Sequence, residues 1–382
     1  MFEIEASEIT EFRESVRKVA LKEIPKYQTP TYKNQVPRAL FKSLTELGLA
    51  ALSIPESLGG VDLKARTLSA VLEELAAVDC GVAIFISVHN MVAGMINRFG
   101  TDLQKREILP AMASGNWLGA FCLTEPDAGS DASNLRTEAK ATADGFVLNG
   151  DKCYITSAGF ADIYLVFARV DGAGADKISA FLVPAKSEGL SVSTPEKKMG
   201  TELSPIASVN FNQVKLPMTA LLGSLGQGYK IALSALSGGR ISIASCANGI
   251  SRSAIDKALA HLEQRQQFGQ KLIQFQGLQF MLADMQIKLE AARLLTLQAA
   301  TQLEHDPSAR ALRIQSSTAK CFATDSCMSI TTDAVQLLGG AGYIEDYGVE
   351  RLMRDAKVLQ ILEGTNQIQR LVICKEMMRN KA

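Results

Sequence analysis

Hydrophobic residues in the first third of the chain recur at the spacing of amphipathic helices. Near residue 70, Glu73 and Glu74 lie on the face opposite an apolar stripe that consists of Leu68, Val71, Leu72 and Leu75. A second stripe begins at Leu40 and ends near Gly48, and glycine is typical of the residue that follows a helix. The pattern predicts a helical N-terminal domain over residues 1–118.

From about residue 119 the pattern changes to short runs rich in β-branched and aromatic residues. The run 146–148 is followed by Asn149-Gly150, a pair that is typical of the turn between two strands, and then by the run 153–156. Further runs of this kind are Ile163–Phe167, Ile178–Val183 and Val209–Phe211. These runs predict a compact antiparallel β-domain over residues 119–226.

Helical periodicity returns beyond Gly228. Strong helix formers continue through Glu304, after an apolar stripe that comprises Leu278, Met281, Leu282, Met285 and Leu289. This pattern predicts a helical bundle over residues 227–382. The order of elements is α, then β, then α, so the fold class is α+β.

Composition describes a globular protein without a strong electrostatic preference. The chain has 382 residues, of which 47% are hydrophobic, and its 40 basic residues balance 40 acidic residues. Such a balance gives no general attraction for nucleic acid, so no nucleic-acid partner is expected. Seven cysteines without a CxxC pair and three scattered histidines favour metal-free chemistry over a disulfide framework or a metal site.

The first residues of the chain bear on its location. They are acidic where a signal or transit peptide would be basic. We find no uninterrupted apolar stretch long enough to cross a bilayer, so no membrane span is expected. These features predict a cytoplasmic protein.

The best single clue to chemistry is Glu363, which stands among apolar and small residues. Ile361 and Leu362 precede it and Gly364 follows it, so its carboxylate would be poorly solvated. Poor solvation raises the pKa of a carboxyl group and makes the carboxylate a stronger base toward a weak carbon acid. Glu363 is therefore a candidate proton abstractor, and an ordinary glutamate on a solvated loop or helix face is the alternative.

Residues 119–139 form a strand that breaks into a loop rich in glycine, serine and aspartate. Its backbone N–H groups and hydroxyls can receive a polar ring or a phosphate, and Gly129 permits close approach. A polar loop between strands would have a similar composition. The order of residues from Leu123 to Asp131, Leu-Thr-Glu-Pro-Asp-Ala-Gly-Ser-Asp, is more informative because it resembles the pattern of the acyl-CoA dehydrogenase family.

Other segments that resemble this family follow in the family's order, and the resemblance covers nearly the whole chain. They are Ile54-Pro-Glu-Ser-Leu-Gly-Gly, Ser87-Val-His-Asn, Lys152-Cys-Tyr-Ile-Thr-Ser, Lys198-Met-Gly, Gly238-Gly-Arg-Ile, Arg265-Gln-Gln-Phe-Gly, Phe275-Gln276, Gln336-Leu-Leu-Gly-Gly-Ala-Gly-Tyr and Glu363-Gly-Thr. Any one of them is compatible with chance, but their joint occurrence at compatible spacings is specific. The resemblance implies the family's fold, with a C-terminal four-helix bundle, and FAD as cofactor.

For FAD, the resemblance implies hydrogen-bond donors and a stacking ring in the β-domain. Thr124 is the expected donor to the flavin ring, and Tyr154 is the expected aromatic shield, where most members have Trp. Arg265 suits the pyrophosphate because its planar fork donates two hydrogen bonds. The other residues expected at FAD are Phe121, Leu123, Gly129, Ser130, Ile155, Thr156, Phe268, Gln276, Gln336, Leu337, Gly339, Gly340, Thr365 and Gln367.

The segment Gln336–Gly340 looks like the one that a neighbouring subunit supplies to the cofactor in this family. A homo-oligomer, commonly a tetramer in the family, is therefore implied. Taken alone, the same residues are typical of a helix and its C-cap. Tyr154 taken alone is typical of an ordinary strand aromatic.

The resemblance places the acyl-CoA thioester near Ser130, Ser237, Arg240 and Gly364. The family often has an acidic residue at the position of Ser237, so this chain departs there from the pattern that implies a hydrogen bond to CoA. Some relatives carry the base at a position that corresponds to Gly239 here, and glycine cannot abstract a proton. The two family patterns therefore leave Glu363 as the base.

The implied reaction is α,β-dehydrogenation of an acyl-CoA to a trans-2-enoyl-CoA, in which Glu363 removes the α-proton and FAD accepts the hydride. Electrons then pass to an electron-transferring flavoprotein. Two alternatives are an acyl-CoA oxidase, whose chains are often longer, and a non-catalytic flavin- or CoA-binding assembly protein, which would have lost Glu363 or the Thr124 region. Leu362 and the segment around Arg240 look most like isobutyryl-CoA-type or other short and branched-chain members, which implies fatty acid or branched-chain amino acid catabolism.

Overall fold

The computed structural model describes residues 7–170 and 175–379. Most of the acidic N-terminal sequence, residues 1–6, lies outside the described residues. Three groups of elements follow one another along the described chain: helices, then a β-sheet, then long helices. This order agrees with the α+β class that the sequence predicts.

The first group consists of helices. They are α1 (Ser7–Glu23), α2 (Arg38–Thr45), α3 (Ala65–Val78), α4 (Cys80–Phe99) and α5 (Asp102–Ala113). The predicted stripe near residue 70 lies on α3, where Val71, Leu72 and Leu75 are buried. Thr101 and Gln104 form a capping box that starts α5.

Helix α4 has the length and apolar composition of a membrane-spanning helix. His89 and Asn90 interrupt its apolar run, so this helix is not the uninterrupted apolar stretch that a membrane span would require. In the structure 78% of the apolar window is buried inside the protein, as in a core helix. His89 Nε2 donates to the carbonyl of Ala50 at 2.8 Å, and Asn90 Nδ2 donates to the carbonyl of Leu49 at the same distance.

The second group forms one eight-stranded sheet. Its strands are β1 (Gly119–Cys122), β2 (Glu138–Ala141), β3 (Gly145–Thr156), β4 (Ile163–Arg169), β5 (Ile178–Pro184), β6 (Leu190–Val192), β7 (Ile206–Pro217) and β8 (Leu221–Leu222). The order is β6-β7-β3-β2-β4-β5-β8, with β1 beside β4. Most neighbours are antiparallel, but β1 pairs with β4 in parallel, and so does one residue pair between β2 and β4. Because β1 pairs with a central strand, the loop after Cys122 starts from a fixed position.

The pair Asn149-Gly150 does not form the predicted turn. Both residues lie within the single long strand β3, whose pairing with β7 shifts register between Leu148 and Gly150. The side chain of Asn149 accepts a hydrogen bond from the N–H of Gln213 at 2.8 Å. Between Leu148 and Gly150, Asn149 alone on β3 faces both Asn212 and Gln213 on β7. The pair therefore lies opposite a β-bulge in β7, which adds a residue to that strand without ending it.

The third group is dominated by three long helices. These are α6 (Gly228–Gln264), α7 (Gln276–His305) and α8 (Arg310–Leu338), with the hairpin β9 (Gln266–Gln267) and β10 (Gln270–Lys271) between α6 and α7. Shorter helices follow as α9 (Gly340–Tyr343), α10 (Val349–Leu359) and α11 (Asn366–Arg379). The expected bundle therefore consists of three long helices that pack together, with α10 and α11 packed on α8.

Helix α3 ties the first group to the third because it packs against α6. Glu74 on α3 lies 2.8 Å from Arg252 on α6, and Glu73 lies 2.6 Å from Arg293 on α7. Burial opposes ionisation of Glu74, but the surrounding arginines lower its pKa to about 2. Both glutamates are buried although they lie opposite the apolar stripe. Charged residues are rarely buried without partners, and these partners lie far along the chain.

Candidate active site

Glu363 lies in the turn between α10 and α11. Its backbone is left-handed, with φ 57°, and the backbone of Gly364 is also left-handed, with φ 88°. The N–H of Leu362 donates to the carbonyl of Val358 at 3.0 Å and extends the end of α10. The N–H of Glu363 donates to no acceptor within the described residues, so it is available to a ligand beside the carboxylate.

The Glu363 carboxylate is poorly solvated. Its Oε2 atom is buried and has no hydrogen-bond partner in the described part of the chain. Burial raises the pKa of Glu363 to about 7, against the opposing influence of the positive charges on Arg240 and Lys320. A carboxylate with this pKa is a stronger base than an ordinary glutamate and is still substantially ionised at neutral pH.

The carboxylate faces helix α6 at Gly239. A Cβ atom on Gly239 would lie 2.7 Å from Cδ of Glu363, which is closer than van der Waals contact. Glycine therefore leaves the space that the carboxylate fills. Gly239 corresponds to the alternative position of the base that the family resemblance implies. It lies beside the Glu363 carboxylate in this structure.

Arg240 follows Gly239 on α6 and is buried. Its Nη1 lies 3.4 Å from Ser317 Oγ on α8, and its Nε has no partner within the described residues. Burial lowers the pKa of Arg240, and the charge of Glu363 opposes this effect. A buried guanidinium with an unpartnered N–H near Glu363 is a suitable donor to a ligand oxygen.

The other residues expected at the substrate differ in their placement. The hydroxyl of Ser237 donates to the carbonyl of Leu233 within α6 at 3.0 Å, so its proton is already used. Ser130 is exposed in the loop after β1. The structure thus brings Arg240 and Gly364 together with Glu363, whereas no hydrogen bond among the described residues joins Ser130 to that group.

A second cluster lies where the loop after β1 meets β3. The N–H of Cys153 donates to the carbonyl of Thr124 at 3.0 Å, which places Thr124 beside Tyr154. Tyr154 has a left-handed backbone, with φ 57°, and is 67% exposed. A Cβ atom on Gly129 would lie 3.9 Å from Thr124 Cγ2. This arrangement presents hydroxyl and backbone donors beside an open aromatic face.

Other β-domain residues expected at FAD have more supporting roles. Phe121 packs against Phe167, with ring centroids 4.9 Å apart, and Ile155 is buried in the core of the sheet. The side chain of Leu123 is also buried. Thr156 is half-buried at the end of β3. The buried side chains hold the sheet together, so Leu123 and Ile155 can offer mainly their backbone to a ligand.

Glu125 and Lys152 form a buried ion pair that supports the loop of Thr124. Lys152 Nζ lies 2.7 Å from Glu125 Oε1 and 3.1 Å from the carbonyl oxygen of Leu123. The carboxylate of Glu125 also accepts the N–H of Thr137 at 2.9 Å. The pairing was not predicted, because a strand lysine and a loop glutamate show no shared pattern along the sequence.

The hairpin between α6 and α7 carries three residues expected at FAD. Arg265 follows α6 and is exposed, Phe268 is 93% exposed, and Gln276 is the first residue of α7. The ring of Phe268 is edge-on to that of Phe275, with centroids 6.2 Å apart. The three residues therefore lie around one exposed hairpin.

The end of α8 carries four more of these residues. Gln336 is exposed and Leu337 is buried in the last turn of the helix. Gly339 and Gly340 follow, and nothing lies within 4 Å of a Cβ atom built on either. Within the described residues, no hydrogen bond links this segment or the hairpin to the two clusters around Glu363 and Thr124. In the described part of a single chain, therefore, the end of α8 and the hairpin are not joined by hydrogen bonds to the clusters around Glu363 and Thr124.

Two further residues expected at FAD lie near the start of α11. Thr365 Oγ1 accepts the N–H of Ile368 at 3.3 Å, which is the arrangement of a helix N-cap. Gln367 is exposed. Both follow Glu363 within four positions of the sequence, so a ligand that contacts them would approach Glu363.

Lys320 and Gln369 were not predicted, although both contact the turn of Glu363. Lys320 Nζ donates to the carbonyl of Gly364 at 3.0 Å, and Gln369 Nε2 donates to the same carbonyl at 2.7 Å. Both side chains are fully buried. A signal for Lys320 was present, because it shares a helical stripe with Ser316, Ala319, Ala323, Thr324 and Cys327.

Three family models match the chain in consecutive segments. The N-terminal domain of acyl-CoA dehydrogenase matches residues 6–116, the middle domain matches residues 120–214, and the C-terminal domain matches residues 226–378. Together the matched segments cover most of the chain in the family's order.

Individual relatives give the same result. Probable acyl-CoA dehydrogenase FadE25 of Mycobacterium tuberculosis is 42% identical over 373 residues, which cover 97% of this chain and 95% of that protein. Mitochondrial isobutyryl-CoA dehydrogenase of Dictyostelium discoideum is 40% identical over 349 residues, which cover 90% and 82%. The solved structure of butyryl-CoA dehydrogenase from Megasphaera elsdenii matches with a TM-score of 0.95 at 38% identity and covers 99% of this chain and 100% of that one.

The fold and the three matched domains define an FAD-dependent oxidoreductase. The chain belongs to the acyl-CoA dehydrogenase family. The predicted family, fold class, enzyme class and FAD cofactor are thereby confirmed.

The residues around Thr124 fit this cofactor. The exposed ring of Tyr154 offers a planar surface on which an isoalloxazine ring can stack. Thr124 supplies a hydroxyl next to that ring, and Gly129 leaves room for close approach of the loop backbone. Polar donors beside an aromatic surface are what a flavin ring requires.

Proposed function

We propose that the protein catalyses the α,β-dehydrogenation of a short or branched-chain acyl-CoA to a trans-2-enoyl-CoA. Glu363 is the base that removes the α-proton. The observation that carries this proposal is the buried Oε2 atom of Glu363, which has no partner within the described residues. Such an atom is ready to receive a proton. A pKa of about 7 is close to neutral pH, which is where a general base works best.

The turn of Glu363 also supplies a donor for the thioester carbonyl. Removal of the α-proton moves negative charge onto that carbonyl oxygen, and a preorganised N–H stabilises the charge. The N–H of Glu363 donates to no acceptor in the described part of the chain and is attached to the residue that carries the base. Arg240 adds a buried positive charge to the same region.

FAD, when bound, supplies the oxidant that accepts the hydride from the β-carbon. In the proposal, Thr124 and Tyr154 hold its ring on the β-domain. Arg265 and Gln276 receive the pyrophosphate and adenosine part, and the segment Gln336–Gly340 of a second copy completes the site. The exposure of Arg265 and the open backbone at Gly339 and Gly340 support an assembly of several copies, which we propose is a tetramer.

The remaining features of the proposal concern context. An electron-transferring flavoprotein accepts the electrons, and the enzyme acts in the cytoplasm in fatty acid or branched-chain amino acid catabolism. The proposed domain boundaries are 1–118, 119–226 and 227–382. They are supported by the positions at which α5 ends, β1 begins and α6 begins.

A visible spectrum followed by an anaerobic titration tests the reaction. Butyryl-CoA, isobutyryl-CoA, 2-methylbutyryl-CoA and octanoyl-CoA are added in turn to the purified yellow protein. We expect at least one of them to bleach the oxidised-flavin spectrum, and the Glu363→Gln variant to remain yellow and unbleached. A flavin that no acyl-CoA reduces would contradict the proposal.

Relative rates test the substrate class. The similarity to isobutyryl-CoA dehydrogenase and butyryl-CoA dehydrogenase supports a short or branched acyl chain. We therefore expect butyryl-CoA or isobutyryl-CoA to be turned over faster than dodecanoyl-CoA. The opposite order would show that the acyl pocket is deep and would overturn this part of the proposal.

A further inference from the structure

The base is held by a turn that the chain would not adopt alone. Glu363 and Gly364 are two consecutive residues with left-handed backbone. A residue with a Cβ atom loses about 1–2 kcal/mol in this conformation, so the surroundings must hold Glu363 in place. The contacts that hold the turn therefore also decide where the carboxylate points.

Two buried side chains donate hydrogen bonds to the carbonyl groups of the turn. Gln369 Nε2 donates to the carbonyl of Glu363 at 3.1 Å and to that of Gly364 at 2.7 Å. Lys320 Nζ donates to the carbonyl of Gly364 at 3.0 Å. Gln369 lies on α11, the helix that directly follows the turn. Lys320 lies on α8, which is distant from the turn in the sequence. Of these two side chains, Lys320 is therefore the one that joins the carbonyl groups of the turn to a long helix.

Lys320 also takes part in a hydrogen-bond network between α8 and the start of α11. Its Nζ donates to Asn366 Oδ1 at 2.8 Å, and Asn366 Nδ2 donates to Thr324 Oγ1 at 2.9 Å and to Asp325 Oδ1 at 2.6 Å. Lys320, Thr324 and Asp325 all lie on α8. The start of α11 is thus tied to one side of α8 by a continuous set of hydrogen bonds.

We propose that Lys320 is a positioning residue for the reaction. Its hydrogen bond holds the turn of Glu363 against α8 and so fixes the direction of the carboxylate. Its positive charge lies near the carboxylate and so sets the proton affinity of the base. This inference rests on the proposed role of Glu363. A fully buried lysine is unusual, and a residue that only filled space there would not need an ammonium group.

The charge of Lys320 follows from the groups that face it. Burial lowers the pKa of Lys320 to about 8, Glu363 and Asp325 oppose that effect, and Arg240 adds to it. Cys321 on the same helix also opposes it, and Arg370 on α11 pairs with Asp325 at 2.7 Å. The ammonium form therefore prevails at neutral pH, and it lowers the pKa of Glu363 from the value that burial alone would give.

The test compares Lys320→Met with Lys288→Met in the FAD-loaded enzyme. Lys288 lies on α7 and donates to Ser329 Oγ at 2.9 Å, and no hydrogen bond among the described residues joins it to the turn, so its variant controls for loss of a lysine from the bundle. We expect Lys320→Met to lower kcat by about 10- to 100-fold, because a small displacement of a catalytic group has an effect of this size. KM should stay within about twofold, because the substrate contacts are retained.

Titration of Glu363 gives a readout that does not depend on turnover. Infrared difference spectra against Glu363→Gln report the protonated carboxyl as the pH is changed. We expect the midpoint to rise by about one pH unit in Lys320→Met, because an opposite charge has been removed. The rising limb of the kcat profile against pH should move in the same direction, and Lys288→Met should leave both unchanged.

A second variant separates the hydrogen bonds to the turn from the charge and applies also if Lys320→Met does not fold. Gln369→Leu removes hydrogen bonds from the turn but no charge, so kcat should fall while the infrared midpoint stays where it is. A Lys320→Met enzyme with the rate and the midpoint of the unaltered protein would overturn the inference. That result differs from failure of the proposed function, in which the unaltered protein is reduced by no acyl-CoA.

Discussion

Glu125 in the β-domain and Glu363 in the helical domain both carry buried carboxylate oxygens, but the fold surrounds the two carboxylates with different partners. Glu125 lies 2.7 Å from Lys152 Nζ and also accepts the N–H of Thr137 at 2.9 Å. Burial opposes its ionisation, but Lys152 and these donors bring its pKa below the usual value. Glu363 has an unpartnered Oε2, and burial raises its pKa to about 7.

The difference shows what separates a structural carboxylate from a reactive one in this molecule. Burial is common to both, so burial alone does not define a base. The number of donors decides the outcome, because each hydrogen bond to the ionised form lowers its affinity for a proton. Glu125 uses its negative charge to hold the loop of Thr124, whereas Glu363 keeps an oxygen free for a proton.

The largest expected effect is that of Glu363→Gln on catalysis. The amide keeps the shape of the side chain but cannot accept the α-proton, so the rate of flavin reduction should fall by about 10²- to 10⁴-fold. Stopped-flow absorbance with the preferred acyl-CoA measures this rate. The same change at Glu125 is not expected to remove the base, so Glu125→Gln is the matched comparison. Equal losses in the two variants would show that the contrast between the glutamates is wrong.

A large effect on stability is expected from Lys152→Met. It leaves the carboxylate of Glu125 buried without its cation, which costs about 3–5 kcal/mol in the free energy of unfolding. Urea denaturation measures the loss, and Lys140→Met on the exposed face of β2 is the control. The double variant Lys152→Met with Glu125→Gln should recover part of the stability because no charge is left unpaired. No recovery would mean that the ion pair is not the cause.

A smaller effect on catalysis is expected from Gly239→Ala. The new Cβ atom would lie 2.7 Å from Glu363 Cδ, so the carboxylate must move aside. The rate of flavin reduction should fall by about 10- to 100-fold. The fold should survive, since the carboxylate ends a flexible side chain and alanine favours helices. In the control, Gly238→Ala, the new atom would lie 3.9 Å from Leu303, and a similar loss there would point to a general disturbance of α6.

The smallest expected effect is a difference in stability that grows with pH. The pKa of Glu363 is about 7 in the native state and 4.5 for an ordinary glutamate, so between these values only the native state retains the proton. The stability linked to Glu363 is therefore full below the lower value and is lost as the pH rises through about 7. Glu363→Gln should be about 2–3 kcal/mol more stable than the unaltered protein near pH 8 and similar to it near pH 4.

Urea denaturation of the two proteins across this range measures the difference. Asp355, whose pKa burial also raises to about 7, is present in both proteins and cancels in the comparison. Parallel curves of stability against pH would show that Glu363 does not titrate in the native state near neutral pH.

Much of the fold could be predicted from local patterns. Helical spacing near residue 70 and in the stripe through Met285 and Leu289 identified real helices, because a buried helix face repeats along the sequence. The pair Asn149-Gly150 misled the prediction, since it lies inside a long strand, opposite a bulge in β7 that leaves no signal near the pair in the sequence. The parallel pairing of β1 with β4 leaves no local signal, because it joins strands far apart in the chain.

The sequence by itself determined which residues can do chemistry. The segment Leu123–Asp131 and the isolated Glu363 are local features, and from them the sequence predicts a flavin loop and a base. Tertiary structure alone decided how each behaves, because partners of a buried group come from distant segments. Lys152 reaches Glu125 across 27 positions, and this contact makes Glu125 a structural support. Lys320 reaches Gly364 across 44 positions, and this contact holds the turn of Glu363, the proposed base.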